Sequence, residues 1–233
     1  AASQADLAAI EDAAAIAVTA DNIDLNAATY TASSGSLTLS GDVDLDLNGG
    51  TVALTTTDQA LTVTGTINDD AAGDSALTLT TGTGTVDLQG DAGATRALGA
   101  FTLASASQAD LADVTAASLA ITADNIDLND TTYTATTGGV TFTGAVDLDA
   151  GAVTTTVDSS AGNGAIVFTS TIDDAASDTA LSLDAGTGTV TTGGAIGGTS
   201  GIGTFTVSAA SQADLAAIED AAAIAVTADN IDL

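Results

Sequence analysis

Aspartate is the one side chain that this sequence offers for chemistry in quantity. The chain carries 31 acidic residues, of which two are Glu (Glu11 and Glu219), leaving 31 − 2 = 29 Asp against a single cation, Arg96. Several of these carboxylates follow apolar anchors at regular distances. Asp24, Asp44 and Asn68 follow Ile23, Val43 and Ile67, and Asp127, Asp147 and Asp173 occupy matching places in the second half. If the anchors stack, the residues after them form an outward ladder of oxygen ligands. Two carboxylates about 4.8 Å apart repel by only ~0.9 kcal/mol in water, but a column of them sums. A hard cation such as Ca²⁺, which takes oxygen ligands, relieves that repulsion. A second acidic cluster falls at paired turns, Asp69, Asp70 and Asp74, then Asp173, Asp174 and Asp178. The candidate Ca²⁺ ligands are therefore Asp24, Asp44, Asp69, Asp70, Asp127, Asp147, Asp173 and Asp174. The competing explanation is a solvated acidic coat that keeps the chain soluble. Neither EF-hand spacing nor the Gly-Gly-x-Gly-x-Asp nonapeptide occurs. Ca²⁺ is thus an optional cofactor, and no cofactor is required.

The absences exclude more. With no His and no Cys, there is no imidazole or thiolate nucleophile, no Ser-His-Asp triad and no zinc site of the usual ligands. Gly82–Gly84 and Gly186–Gly188 lack the Lys of a phosphate loop and read as turns. Paired Asp could hydrolyse glycosides, but every pair here recurs, whereas an active site is normally built once. An enzyme is not expected. A formal charge of −30 repels nucleic acid and anionic lipid, whose binding depends on Lys and Arg. No apolar run approaches the ~20 residues that cross a bilayer. Nucleic-acid partners and membrane insertion are accordingly not expected.

The elements that would position these aspartates come from a repeat. Residues 1–25, AASQADLAAIEDAAAIAVTADNIDL, return unchanged as residues 209–233, and Ser107 opens a diverged copy midway. Ser3, Ser107 and Ser211 lie 104 and 104 apart. GSLTLSGDVDL (35–45) aligns with GGVTFTGAVDL (138–148), and ALTLTTGTGTV (76–86) with ALSLDAGTGTV (180–190). Fixed-period self-similarity is the mark of a solenoid or an array. The expected organisation is a first repeat over 1–106, a second over 107–210 and the start of a third over 211–233, all in one solenoid. The chain reads as a piece of something longer, uncapped at both ends.

Inside each repeat the apolar residues alternate with polar ones, as at Val43, Leu45 and Leu47, between Gly, Asn and Asp turns; this predicts short half-buried strands. Apolar anchors about seven residues apart suit a chain that turns a corner every few residues. The predicted stacks are Ile23, Val43 and Ile67; then Ile16, Leu37, Leu61 and Val86; then Tyr30, Val52, Leu77 and Phe101. The fold class is all-β, a parallel β-helix of about five coils per 104 residues. The Ala-rich opening resembles a capped helix, but Val114, Thr115 and Ser118 in the aligned copy are poor helix formers, so strand is expected there. No proline occurs where about twelve would be usual, which suits strands whose N–H groups are all needed in ladders. Thr-x-Thr pairs such as Thr62/Thr64 and Thr141/Thr143 read as β-propensity on an outward face. The rival architecture is a row of β-sandwich adhesin domains of about 100 residues with Ca²⁺ at their junctions.

The segments GGVTFTGAVDL, AIVFTSTIDDA, ALSLDAGTGTV and IGTFTVSAA resemble the repeats of filamentous-haemagglutinin-like and other giant bacterial surface proteins. The resemblance implies a right-handed parallel β-helix, export to the bacterial cell surface and a role as a fibre or adhesin shaft. It implies self-association, as a continuous or head-to-tail fibre with lateral bundling through cations. A chain with no Cys, no Pro and one trypsin site, Arg96, suits export and exposure.

Overall fold

The computed structural model describes residues 2–175 and 178–233, and every regular element among them is a β-strand. The Ala-rich opening follows the rule of its aligned copy: it forms strands Ala2–Leu7, Ile10–Ala13 and Ile16–Leu25. Among the described residues the ladders that carry a register are parallel throughout, so the fold is a parallel β-helix and not a row of antiparallel sandwiches. The chain divides into two compact units, residues 1–117 with 121–123, and residues 118–120 with 124–233.

In the first unit each coil has three sides, and each side contributes to one apolar column. The first column is Ile16, Leu37, Leu61, Val86 and Ala109. A second is Ala5, Ile23, Val43, Ile67, Ala92 and Val114. The third is Ile10, Tyr30, Leu54, Leu79 and Leu103. Two of the three stacks expected from sequence are thus formed residue for residue. In the third, Tyr30 lies beside Leu54, while Val52, Leu77 and Phe101 stack as a neighbouring inward row. A slip of two residues keeps each side chain on the same face of a strand, so alternation alone does not fix it.

Most strands are short, three to five residues, as at Leu61–Val63, Ile67–Asp69 and Thr85–Leu88, but some run longer. Ile16–Leu25 runs ten residues and Leu37–Leu45 nine, because both bend around a corner without leaving the ladder. The bend in the first is a register shift between Thr19 and Asn22. The second turns at Gly41, where φ is 143° and a Cβ would lie 1.9 Å from the Ala20 carbonyl oxygen. Only glycine meets both conditions.

Within the first unit, equivalent residues of the two repeats do not share a column. Going along the chain from Ala5, the sides are marked by Ile10, Ile16, Ile23, Tyr30, Leu37, Val43, Leu54, Leu61, Ile67, Leu79, Val86, Ala92, Leu103 and Ala109. That is fourteen steps for 104 residues. Fourteen sides at three to the coil make four and two-thirds coils. Ala5 therefore stands in the Ile23 column, but Ala109, its equivalent, stands in the Ile16 column.

The second unit is built alike. Val140, Ile166, Val190, Ala213 and Ile231 form one column, and Val146, Ile172, Ile196 and Ile218 another. Tyr133, Val157, Leu183, Val207 and Val226 make the third. Its core holds an aromatic cluster: Phe142 stacks on Phe168 with centroids 4.9 Å apart, and Tyr133 meets Phe142 edge-on at 6.3 Å. Burial of these columns, coil after coil, is what stabilises a solenoid.

Candidate functional site

The outward residues beside the second column of the first unit form the acidic ladder. Asp6, Asp24, Asp44 and Asn68 pair in register from coil to coil. The column next to it, two residues back along each strand, is Gln4, Asn22 and Asp42. Residues i and i+2 point to the same side of a strand, so the amides lie against the carboxylates. Gln4 donates to Asp6 at 3.0 Å and to Asp24 at 2.6 Å, and Asn22 donates to the other oxygen of Asp24 at 2.5 Å. Asp42 accepts from both the amide and the hydroxyl of Thr66, and Asn68 donates to that hydroxyl. The same device recurs on other coils, where Gln108 donates to Asp110 and Asn125 to Asp127, and in reversed order where Gln89 donates to Asp87. Asp24 thus has both oxygens engaged by neutral donors. These amide partners, spaced as Asn/Gln-x-Asp, are a signal the sequence carried and the acidic reading passed over.

The second cluster does different work. Asp69 stands in register with Leu45, and Asp174 with Leu148, so both carboxylates point inward and are buried. One oxygen of Asp69 accepts from the amides of Asp74 and Ser75, at 2.7 and 2.8 Å; its other oxygen and the Ser75 hydroxyl are buried without a partner. In the second unit Asp174 accepts from the amide of Thr179 at 2.6 Å and from its hydroxyl at 3.3 Å. Each therefore closes its own turn by taking donors that would otherwise be buried unpaired. Asp173, which pairs with Asp147, accepts from the amides of Thr199 and Ser200 on the following coil. Asn68 holds the equivalent loop, taking the amides of Thr95 and Arg96. Asp70 is exposed and meets the Arg96 guanidinium through its carboxylate at 3.4 Å and through its carbonyl. A shallow groove of about 220 Å³ beside it is lined by Asp44, Asn68, Asp69, Thr95 and Arg96.

The eight candidate ligands therefore fall into three groups. Asp24 with Asp44, and Asp147 with Asp173, are neighbours one coil apart, and Asp127 lies on strand Val114–Leu128 paired to Asn125. Asp69 and Asp174 are inward turn closers, and Asp70 is half of the surface ion pair.

One further pair was not singled out from sequence. Asp58 and Asn163 both have positive φ, 55° and 53°, and each accepts from the amide of a turn on the next coil, Thr83 at 2.8 Å and Thr187 at 2.9 Å. A Cβ on Gly82 would lie 2.4 Å from Asp58 Oδ1, and one on Gly186 2.6 Å from Asn163 Oδ1. The repeated Gly-Thr-Gly-Thr motif (82–85 and 186–189) is thus a turn resting on an Asp or Asn cap one coil below. The Thr83 amide, and after it the Thr83 hydroxyl, holds the Asp58 carboxyl below its usual range against a weak opposing effect of burial.

What this surface can do chemically is hold itself together where Asp24, Asp42, Asp58 and Asp173 pair with amides, a hydroxyl and turn N–H groups. No helix among the described residues is long and apolar enough to cross a membrane. The chain matches no known family model, no curated protein and no solved structure.

Proposed function

We propose that this chain is a structural segment of a long extracellular bacterial surface fibre, stalk or adhesin shaft. Its work is mechanical. The reading rests on one observation above all: unbroken apolar columns pass through coil after coil of each unit, with outward side chains such as Gln4 and Asp58 tying one coil to the next. Such stacking adds stability with each coil and needs no ligand. The anionic surface keeps neighbouring shafts apart until salt or a divalent cation screens them. Ca²⁺ acts on this surface as an optional ligand of the neighbouring pairs Asp24/Asp44 and Asp147/Asp173. In the second pair Asp173 is buried, and one of its oxygens is already held by the Thr199 and Ser200 amides.

Two experiments bear on it. Antiserum raised against the chain is expected to label filaments on intact, unpermeabilised bacteria; labelling confined to lysed cells would refute the placement. Thermal melting with Ca²⁺ and then chelator is expected to raise and then restore the midpoint, with the rise blunted in Asp44→Asn/Asp147→Asn. A midpoint indifferent to both additions removes Ca²⁺ from the account.

A further inference from the structure

The sequence holds eight asparagines, and two of them, Asn48 and Asn163, precede glycine. In an Asn-Gly pair the backbone can attack the side-chain amide, because glycine has no Cβ to shield the nitrogen that follows the asparagine. Both asparagines are exposed, and both have positive φ, 48° and 53°. Their hydrogen bonds set them apart. The Gly164 amide donates to the Ser159 carbonyl at 3.2 Å, and the Gly164 carbonyl accepts from the Ser159 hydroxyl at 2.8 Å. Asn163 Oδ1 accepts from the Thr187 amide of the next coil at 2.9 Å. A Cβ on Gly164 would lie 1.9 Å from the Gly138 carbonyl oxygen, so this turn also rests against the coil before it. The Gly49 amide, by contrast, makes no hydrogen bond among the described residues. The Asn48 side chain has one bond there, from Nδ2 to Asp46 at 3.3 Å.

We propose that Asn48 is a site of spontaneous deamidation in the folded chain, and that its turn protects Asn163 from the same reaction. The Gly49 N–H gives its proton to a solvent base, and the nitrogen attacks Cγ of Asn48. The bond from Cγ to Nδ2 breaks, and Nδ2 takes a proton from solvent and leaves as ammonia. Water then opens the cyclic imide at either carbonyl, leaving an α-linked or a β-linked aspartate at position 48. At Asn163 the attack must first break the bonds that hold the Gly164 nitrogen and the Asn163 oxygen, which slows it about tenfold or more. The corner at Asn48 accommodates the product. Its equivalent in the second repeat is Gly151, also at positive φ, 77°, with nothing near its Cβ position. The new carboxylate replaces the amide that donates to Asp46, and Asp74 Oδ1 is close by, 3.2 Å from the Cβ position of Gly49. The reaction therefore adds a negative charge among carboxylates and leaves the apolar columns seated. It needs only water and time, so the converted fraction records how long the folded chain has stood.

The test is to warm the intact chain in mildly alkaline water labelled with heavy oxygen, once folded and once in urea, and to analyse peptides released by pepsin by mass spectrometry. In the folded chain, label is expected at position 48 at least about tenfold faster than at position 163. In urea the two rates should converge, with Asn163 rising to meet Asn48. A folded chain that labels neither position, or both at the same rate, overturns the proposal. The β-linked isomer is expected among the products at position 48; an α-linked product alone would mean direct hydrolysis by water and would remove Gly49 from the reaction.

Discussion

Phe142, Tyr30 and Asp58 show how a single side chain acts in this fold. Phe142 is fully buried between Phe168 and the edge of Tyr133, so Phe142→Ala is expected to cost about 3–5 kcal/mol. Urea unfolding measures it directly, and a loss below about 1 kcal/mol would mean that the ring is not packed. Tyr30 gives its hydroxyl proton to the Leu7 carbonyl and accepts from the Ala27 amide, and burial raises its pKa. Its contribution is present below the unfolded value near 10 and is lost as pH rises through the higher folded value. Asp58 works in the opposite direction. Its folded pKa is depressed, so its contribution is present above the unfolded value, about 3.9, and is lost as pH falls through the folded one. Asp58→Asn, the residue already used at the equivalent Asn163, is expected to be less stable than the parent at pH 7. That difference should shrink as pH falls and vanish once both are compared in acid below the depressed folded pKa of Asp58. Denaturation midpoints at the two pH values decide it; a gap that persists in acid would separate the effect from the carboxylate.

At the scale of the strand, the corners govern. In strands Leu37–Leu45 and Val140–Leu148 two sides of a coil are joined without breaking the ladder at Gly41 and Gly144, which take φ of 143° and 135°. A side chain at Gly41 would run into the Ala20 carbonyl. Gly41→Ala is expected to cost about 1–3 kcal/mol, whereas Gly73→Ala, with nothing near its Cβ position, carries only the cost of its positive φ. Equal losses at both sites would mean that the corner is not tight. This scale also shows what sequence could reveal. The Ile23 and Ile16 columns were legible because apolar residues alternate and recur 20 to 25 apart. The Tyr30–Leu54 pairing was not, because a two-residue slip preserves the alternation. Asp69 and Asp174 were grouped with surface acids although each occupies the inward place held by Leu45 and Leu148 on the preceding coil. Only the turn donors at Ser75 and Thr179 explain why a carboxylate is tolerated there.

For the molecule as a whole, the repeat of the sequence and the repeat of the coil are different lengths. In the first unit four and two-thirds coils for 104 residues put Ala109 one side away from Ala5, its equivalent in the sequence repeat. The coil is therefore the unit of folding. Deleting Thr62–Val86, which lets Leu61 take the place of Val86 in its column, is expected to leave a cooperatively melting protein. Deleting Thr62–Gly73 should abolish cooperative melting, and equal behaviour of the two would contradict a coil-based core. The most direct measurement of the account is the pattern of cross-strand proton contacts by NMR. Parallel stacking predicts contacts between Thr38 and Thr62 and between Thr62 and Asp87, with partners along a strand keeping a constant difference in residue number. Contacts in which the residue numbers of the partners keep a constant sum would mean antiparallel hairpins and would contradict the stacked coils at their root.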